Sequence, residues 1–259
     1  MPIDLDPAIA LAGLLVGFTV GLTGMGGGAL MTPIMVLFFK VSPLAAVSSD
    51  LVVSLLMKPV GGAVHVRRGT VRKDIALWLC LGSVPAAFAG VLLLKNLGGD
   101  IELLLKRALG LALLASATSI IVRQVIERRR AEGWEPAPAV LNKPATLAIG
   151  VLGGLVVGMT SVGSGSLIIV MLLFVYPGLR SAELVGTDLV QAIPLVGSAA
   201  LGHLLFGDVR LGLTTSLLLG ALPGVYVGAR LSAHAPDKVV RPALFTVLLT
   251  SGLKLVQVI

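Results

Sequence analysis

Eight apolar runs, roughly at 8–39, 46–66, 74–94, 104–122, 144–175, 184–206, 212–232 and 240–258, leave little of this chain outside them. Most have the roughly 20 residues that an α-helix needs to cross the hydrocarbon of a bilayer. Leu, Val, Ala and Gly fill them without the period-2 alternation of a β-barrel. With 56% hydrophobic and 13% charged residues over 259 positions and a mean hydropathy of +1.01, a soluble domain is excluded. The expected fold class is an all-α polytopic membrane protein, multi-pass in the cell membrane. Met1 to Pro7 carries Asp4 and Asp6 and no basic side chain, so a cleaved signal peptide is not expected. Cys80 is alone and falls inside a predicted helix, which rules out an internal disulfide and a multi-Cys metal site. The net charge of +7 lies in loops beside helices, as membrane orientation requires. It points to the lipid bilayer as partner and not to nucleic acid.

Two of the runs are interrupted by glycine. The first break is Gly21-Leu22-Thr23-Gly24-Met25-Gly26-Gly27-Gly28, and the second is Gly158-Met159-Thr160-Ser161-Val162-Gly163-Ser164-Gly165. Paired broken helices in corresponding halves are the usual pointer to a binding site in a transporter. The halves also match elsewhere: Asp50-Leu51-Val52 falls on Asp188-Leu189-Val190, His65 on His203, Gly69 on Gly207, Val71-Arg72 on Val209-Arg210, and Pro85 on Pro223. The chain therefore reads as a first repeat over 1–125 and a second over 144–259. The stretch 126–143, polar and Pro-rich around Arg128 to Pro138, reads as a cytoplasmic linker.

The basic residues choose between two topologies. If each broken segment turns back as a hairpin, the repeats are inverted. Arg67, Arg68, Arg72, Lys73, Arg123, Arg128, Arg129, Arg130, Lys143, Arg180, Arg230, Lys238 and Arg241 then share one face, against Lys40, Lys95, Lys106, Arg107, Arg210 and Lys254 on the other. If each segment crosses once, the division is more even, so the positive-inside rule favours inversion. Length agrees, because the arm from Ala29 to Phe39 is only about 16 Å long at 1.5 Å per residue. Each repeat is thus expected to hold a Gly-broken hairpin (8–39; 144–175) and three helices (46–66, 74–94, 104–122; 184–206, 212–232, 240–258), with the glycine tips near the midplane.

These motifs, together with His65-Val66-Arg67-Arg68-Gly69-Thr70-Val71-Arg72 and Gly202-His203-Leu204-Leu205-Phe206-Gly207-Asp208-Val209, make the chain similar to the TauE/SafE family of sulfite exporters, also called the sulfite and organosulfonate permeases. The likeness spans nearly the whole chain. It implies a membrane permease for small sulfur-containing or carboxylate anions. Asp50 and Asp188 stand where many members carry a small hydroxyl residue, and Lys58 looks like a subgroup feature.

The residues suggest a site independently of that resemblance. Gly24, Gly26, Gly27 and Gly28 permit positive φ and close approach of backbone N–H groups. The arms starting at Ala29 and Ser166 would then offer helix N-termini to an anion. Thr23, Thr160, Ser161, Ser164 and Ser166, with Gly163 and Gly165 between them, could add hydroxyl donors, or bond their own backbone. Asp50, Ser54 and Lys58 share one helix face at i, i+4 and i+8. Lys58 is too deep to snorkel and needs a partner or a ligand. Asp50 is about 12 Å away along the axis, so Asp188, with Gln191 on the same helix, is the expected partner. The carboxylates, Gln191, His65 and His203 are the candidates for proton coupling; the two histidines read first as interfacial packing.

No Gly-x-Ser-x-Gly elbow, Walker motif or His-Glu-x-x-His is present, so an enzyme is not expected. No cofactor or metal is called for. The leading function is a secondary permease for small anions, with sulfite, organosulfonates and related oxyanions or carboxylates as substrates. A passive anion channel and a membrane enzyme or assembly subunit are the alternatives, and the sequence is compatible with a homo-oligomer.

Overall fold

The computed structural model describes residues 5–23, 27–96, 101–132, 139–231 and 237–256. They form ten helices: α1 Pro7–Thr23, α2 Gly28–Leu37, α3 Pro43–Arg67, α4 Lys73–Asn96, α5 Ile101–Ala131, α6 Lys143–Thr160, α7 Leu167–Val175, α8 Ser181–Phe206, α9 Leu211–Leu231 and α10 Asp237–Val256. No strand occurs among the described residues. Six of these helices, α3, α4, α5, α6, α8 and α9, are long and apolar enough to cross a membrane.

Local chemistry explains several of the starts. Ser42 accepts the Ala45 N–H at 3.4 Å ahead of Pro43. Asn142 accepts the Ala145 N–H at 3.2 Å ahead of Pro144. Both hold a donor that the first turn cannot satisfy internally, next to a proline that has no N–H to lose. At α8, the Glu183 carboxylate reaches back to the Arg180 N–H at 2.9 Å. Pro59, Pro85, Pro194 and Pro223 all sit inside continuous helices.

The largest departure from the expected bounds is at α5. The helix expected over 104–122 runs from Ile101 to Ala131, so the first part of the expected linker is helical. Glu127 explains the extension. Its carboxylate takes Arg123 at 2.9 Å along the same helix and Arg241 of α10 at 2.5 Å, and the Ser181 hydroxyl donates to it at 3.2 Å. Residues 133–138 lie outside the described residues.

The halves interlock through small residues. α1 runs parallel to α9, with Gly13, Gly17 and Gly21 facing Gly220, Gly224 and Gly228 at four-residue spacing. α6 runs parallel to α4 in the same way, through Gly150, Gly154 and Gly158 against Gly82, Ala86, Ala87 and Gly90. A Cβ on Gly13 would lie 2.6 Å from the Leu217 carbonyl oxygen, and one on Gly150 would lie 2.5 Å from that of Leu79. Backbone contact of this kind is how helices associate where lipid removes the hydrophobic driving force.

At the centre α3 and α8 run antiparallel. His203, near the end of α8, meets Ser48 near the start of α3, while His65 near the end of α3 packs on Gly186 near the start of α8. α5 and α10 are antiparallel as well: Gly110 lies against Gly252 and Val256, and Glu127 bonds Arg241.

Candidate functional site

The two glycine breaks meet. A Cβ on Gly28 would overlap the Ser161 carbonyl oxygen and lie 2.7 Å from the Ser161 carbonyl carbon. The second break supplies the irregular backbone: Ser161 has φ 59, Gly163 φ 129 and Gly165 φ 91. These positive values turn the chain from α6 into α7, and glycine adopts two of them without Cβ strain. In the first break Gly27 is helical, with φ −56, and Gly28 opens α2. There the glycines serve close approach, and the positive φ expected at Gly27 and Gly28 is not used. Gly24 and Gly26 lie outside the described residues.

Beside this contact, three buried charged side chains gather: Asp50, Lys58 and Asp188 are 0%, 6% and 1% exposed, and they are the only charged side chains in the buried set of described residues. Lys58 donates to the Ser164 hydroxyl at 2.9 Å. Asp188 accepts the Gln191 side-chain amide at 3.0 Å, and Gln191 in turn accepts the Ser83 hydroxyl at 3.1 Å. The expected Lys58–Asp188 pair is not closed to within hydrogen-bond distance, although the two charges attract one another. The carboxylate takes Gln191, one turn on, and the Gly165 backbone N–H, and the lysine donates to the Ser164 hydroxyl.

Asp50 bridges the two halves. Its Oδ2 accepts the Thr32 hydroxyl of α2 at 3.1 Å and the Ser161 hydroxyl at 2.6 Å. The start of α2 thus already faces a carboxylate of the protein. Of the other hydroxyls, Thr23 donates to the Thr19 carbonyl, Thr160 to the Val156 carbonyl, and Ser166 pairs with Ser116 at 2.8 Å. Thr32, Ser116 and Ser48 take part although sequence reading passed over them, since lone hydroxyls in apolar runs carry no pattern.

A cavity of about 180 Å³ opens onto this cluster from one side. Thr23, Gly27, Ser54 and Lys58 lie at its inner end. His65 and Arg68, at the end of α3, line its outer part, with apolar walls from Val185, Leu189 and Val225. It far exceeds the roughly 10–15 Å³ that one water requires. An anion entering past Arg68 would meet Lys58, the sole buried ammonium among the described residues.

The position around His203 holds only a small cavity, about 40 Å³, beside Phe206 and Gly207. His203 is fully buried, its Nε2 donates to the Gly158 carbonyl at 2.9 Å, and its Nδ1 pairs with Ser48 at 2.8 Å. Ser48 also accepts the Asp208 N–H at 3.2 Å. One imidazole thereby ties α8, α3 and the tip of α6 together. His65, its repeat counterpart, bonds only to the neighbouring Thr70 at 2.9 Å and faces the cavity.

The family model described as "Sulfite exporter TauE/SafE" matches residues 9–255. The chain is 37% identical over 253 residues to the Bacillus subtilis (strain 168) protein named "Probable membrane transporter protein YjnA", covering 96% of this chain and 99% of that one. It is 26% identical to the same organism's "Probable membrane transporter protein YdhB", covering 95% and 98%. No solved structure matches this chain. With ten helices among its described residues, six of them able to span a bilayer, and a family match over almost its whole length, this multi-pass membrane protein belongs to the TauE/SafE sulfite exporter family.

Proposed function

We propose that the chain is a secondary permease for small anions, sulfite, organosulfonates and related oxyanions or carboxylates, which bind at Lys58 beside the meeting point of the two hairpin tips. The observation that carries this reading is the position of Lys58, a buried ammonium at the inner end of a cavity whose outer part holds Arg68. Intramembrane charge of this kind marks a substrate path by default. Ser164 fixes the lysine from the second tip, and the hydroxyls of Ser54 and Thr23 stand close by.

The inverted arrangement of the two repeats is part of the proposal. The antiparallel pairing of the repeat-equivalent helices α3 with α8 and α5 with α10 supports it. With the Arg67, Arg68 and Arg72 end placed in the cytoplasm by the positive-inside rule, the cavity is open inward and the His203 tie closes the outer side. Rocking one repeat against the other would exchange the two sides. A channel would need a path past His203, Ser48 and Gly158, so the permease reading is preferred.

The test is a thermal-shift screen of purified protein against sulfite, thiosulfate, 2-hydroxyethanesulfonate and acetate, followed by flux in proteoliposomes. An anion that binds the native state at 100 times its Kd raises stability by about 2.7 kcal/mol. Saturable flux of the stabilising anion supports the proposal. Non-saturating flux means a channel, and no stabilisation by any anion removes the substrate class.

A further inference from the structure

Among the described residues, Asp50 is a buried carboxylate with an incomplete set of hydrogen bonds. It is completely buried, yet among the described residues its Oδ1 has no hydrogen-bond partner. Its other oxygen receives two hydroxyls and no cation. Beside Oδ1 lies the space that Gly27 leaves by lacking a side chain: a Cβ there would stand 3.8 Å from Asp50 Oδ1 and 3.3 Å from Ser54 Oγ. Gly27 and Ser54 both line the cavity, so that space adjoins the inward opening.

From these features we infer that Asp50 is the proton-binding site of the permease, loaded from the cavity through the gap beside Gly27. The inference rests on the anion-permease reading. A bare carboxylate oxygen inside a membrane protein is costly. A proton on Oδ1, taken from cavity water and returned to it, removes the charge and supplies a donor facing Ser54 Oγ, while Oδ2 keeps both hydroxyls. Asp188 has no such vacancy, because Gln191 donates to its Oδ1 and the Gly165 backbone N–H bonds the carboxylate as well.

Charge balance leads to the same group. The buried cluster holds one ammonium against two carboxylates. An anion arriving at Lys58 adds further negative charge, and neutralising Asp50 offsets it, so anion and proton bind cooperatively.

The groups around Asp50 leave it as the site. Along its own helix toward the cavity come Lys58 and then, at the outer part, His65 and Arg68. α8 brings Asp188 and, bonded to Ser48, His203. α9 is preceded by the Asp208–Arg210 pair, at the exposed end beside Ser48 and Ser49. α1 and α2 carry no charged residue, and α5 has none between Arg107 and Arg123. The Ser161 turn offers only hydroxyls and backbone.

The test is infrared spectroscopy of the purified protein, without substrate, titrated upward from about pH 6, where exposed Asp and Glu, with pKa values of about 4, are already ionised. A protonated buried carboxyl gives a C=O band distinct from carboxylate. That band should be present in the wild type and in Asp188→Asn, absent in Asp50→Asn, and moved in frequency in Asp50→Glu, which keeps a carboxyl if the asparagine variant folds poorly. A band that survives in Asp50→Asn, vanishes in Asp188→Asn, or is missing from the wild type throughout the titration overturns the assignment. Because no anion is present, this outcome is independent of the anion screen that tests the permease reading.

Discussion

Two adjacent glycines should respond very unequally to the same small change. At Gly28 a Cβ would overlap the Ser161 carbonyl oxygen and come within 2.7 Å of its carbonyl carbon and 2.8 Å of its Oγ. The obstacle is backbone in a left-handed turn, pinned by the Ser161 N–H to the Val157 carbonyl at 2.8 Å, so it cannot swing aside as a side chain would. Forcing extra volume into such packing costs about 1–3 kcal/mol. Displacing Ser161 also weakens its 2.6 Å hydrogen bond to Asp50, a contact class worth about 1.5–3 kcal/mol. These terms overlap, so about 3 kcal/mol is the working value for Gly28→Ala. At about 2–4 °C per kcal/mol for a chain near this size, the apparent midpoint should fall by about 6–12 °C. Gly27→Ala meets only the Ser54 hydroxyl at 3.3 Å, with a helical φ of −56, and should change the midpoint by less than about 3 °C. Detergent-solubilised protein heated in steps and quantified by size-exclusion fluorescence measures both. Equal midpoints for the two variants, or a larger drop for Gly27→Ala, would refute the contact between the tips.

Gly163→Val places a β-branched side chain at φ 129, outside its allowed regions. It should abolish anion flux in proteoliposomes while leaving protein in the membrane, and flux at the wild-type rate would exclude the second tip from the site. For topology, Arg180→Cys and Arg210→Cys in a Cys80→Ala background should be labelled from opposite sides by an impermeant thiol reagent, with Arg210→Cys reactive from outside intact cells. Outside labelling of Arg180→Cys removes the inverted arrangement.

The fold was legible where apolar length and glycine placement speak for themselves. The all-helical character and the long apolar helices follow from the runs. The end of α5 was not, because charge at Arg123 to Arg130 reads as departure from the membrane. The convergence of Arg123, Arg241 and Ser181 on Glu127, which ties that segment to α10 and the start of α8, is a tertiary contact that the local sequence does not announce. Within the site, the i, i+4, i+8 face placed Asp50, Ser54 and Lys58 together because helix periodicity is local. The partner of Lys58 was not legible. Ser164 reaches it through the positive φ of Gly163, and Asp188 is held by Gln191, a competition that spacing alone does not rank. Gly28 illustrates the same limit: its need for no side chain arises from Ser161, 133 positions away in sequence.

The central claim is that Lys58 holds the transported anion, and the most direct measurement is equilibrium binding of the best stabilising anion of the screen to wild-type protein and to Lys58→Met. Methionine fills much of the lysine volume without charge, so the comparison isolates the ammonium. Loss of a charge-assisted hydrogen bond, about 1.5–3 kcal/mol, corresponds to a Kd higher by roughly 10- to 150-fold. The account predicts a weakening in that range in folded Lys58→Met protein, whereas a Kd equal to that of the wild type would contradict it.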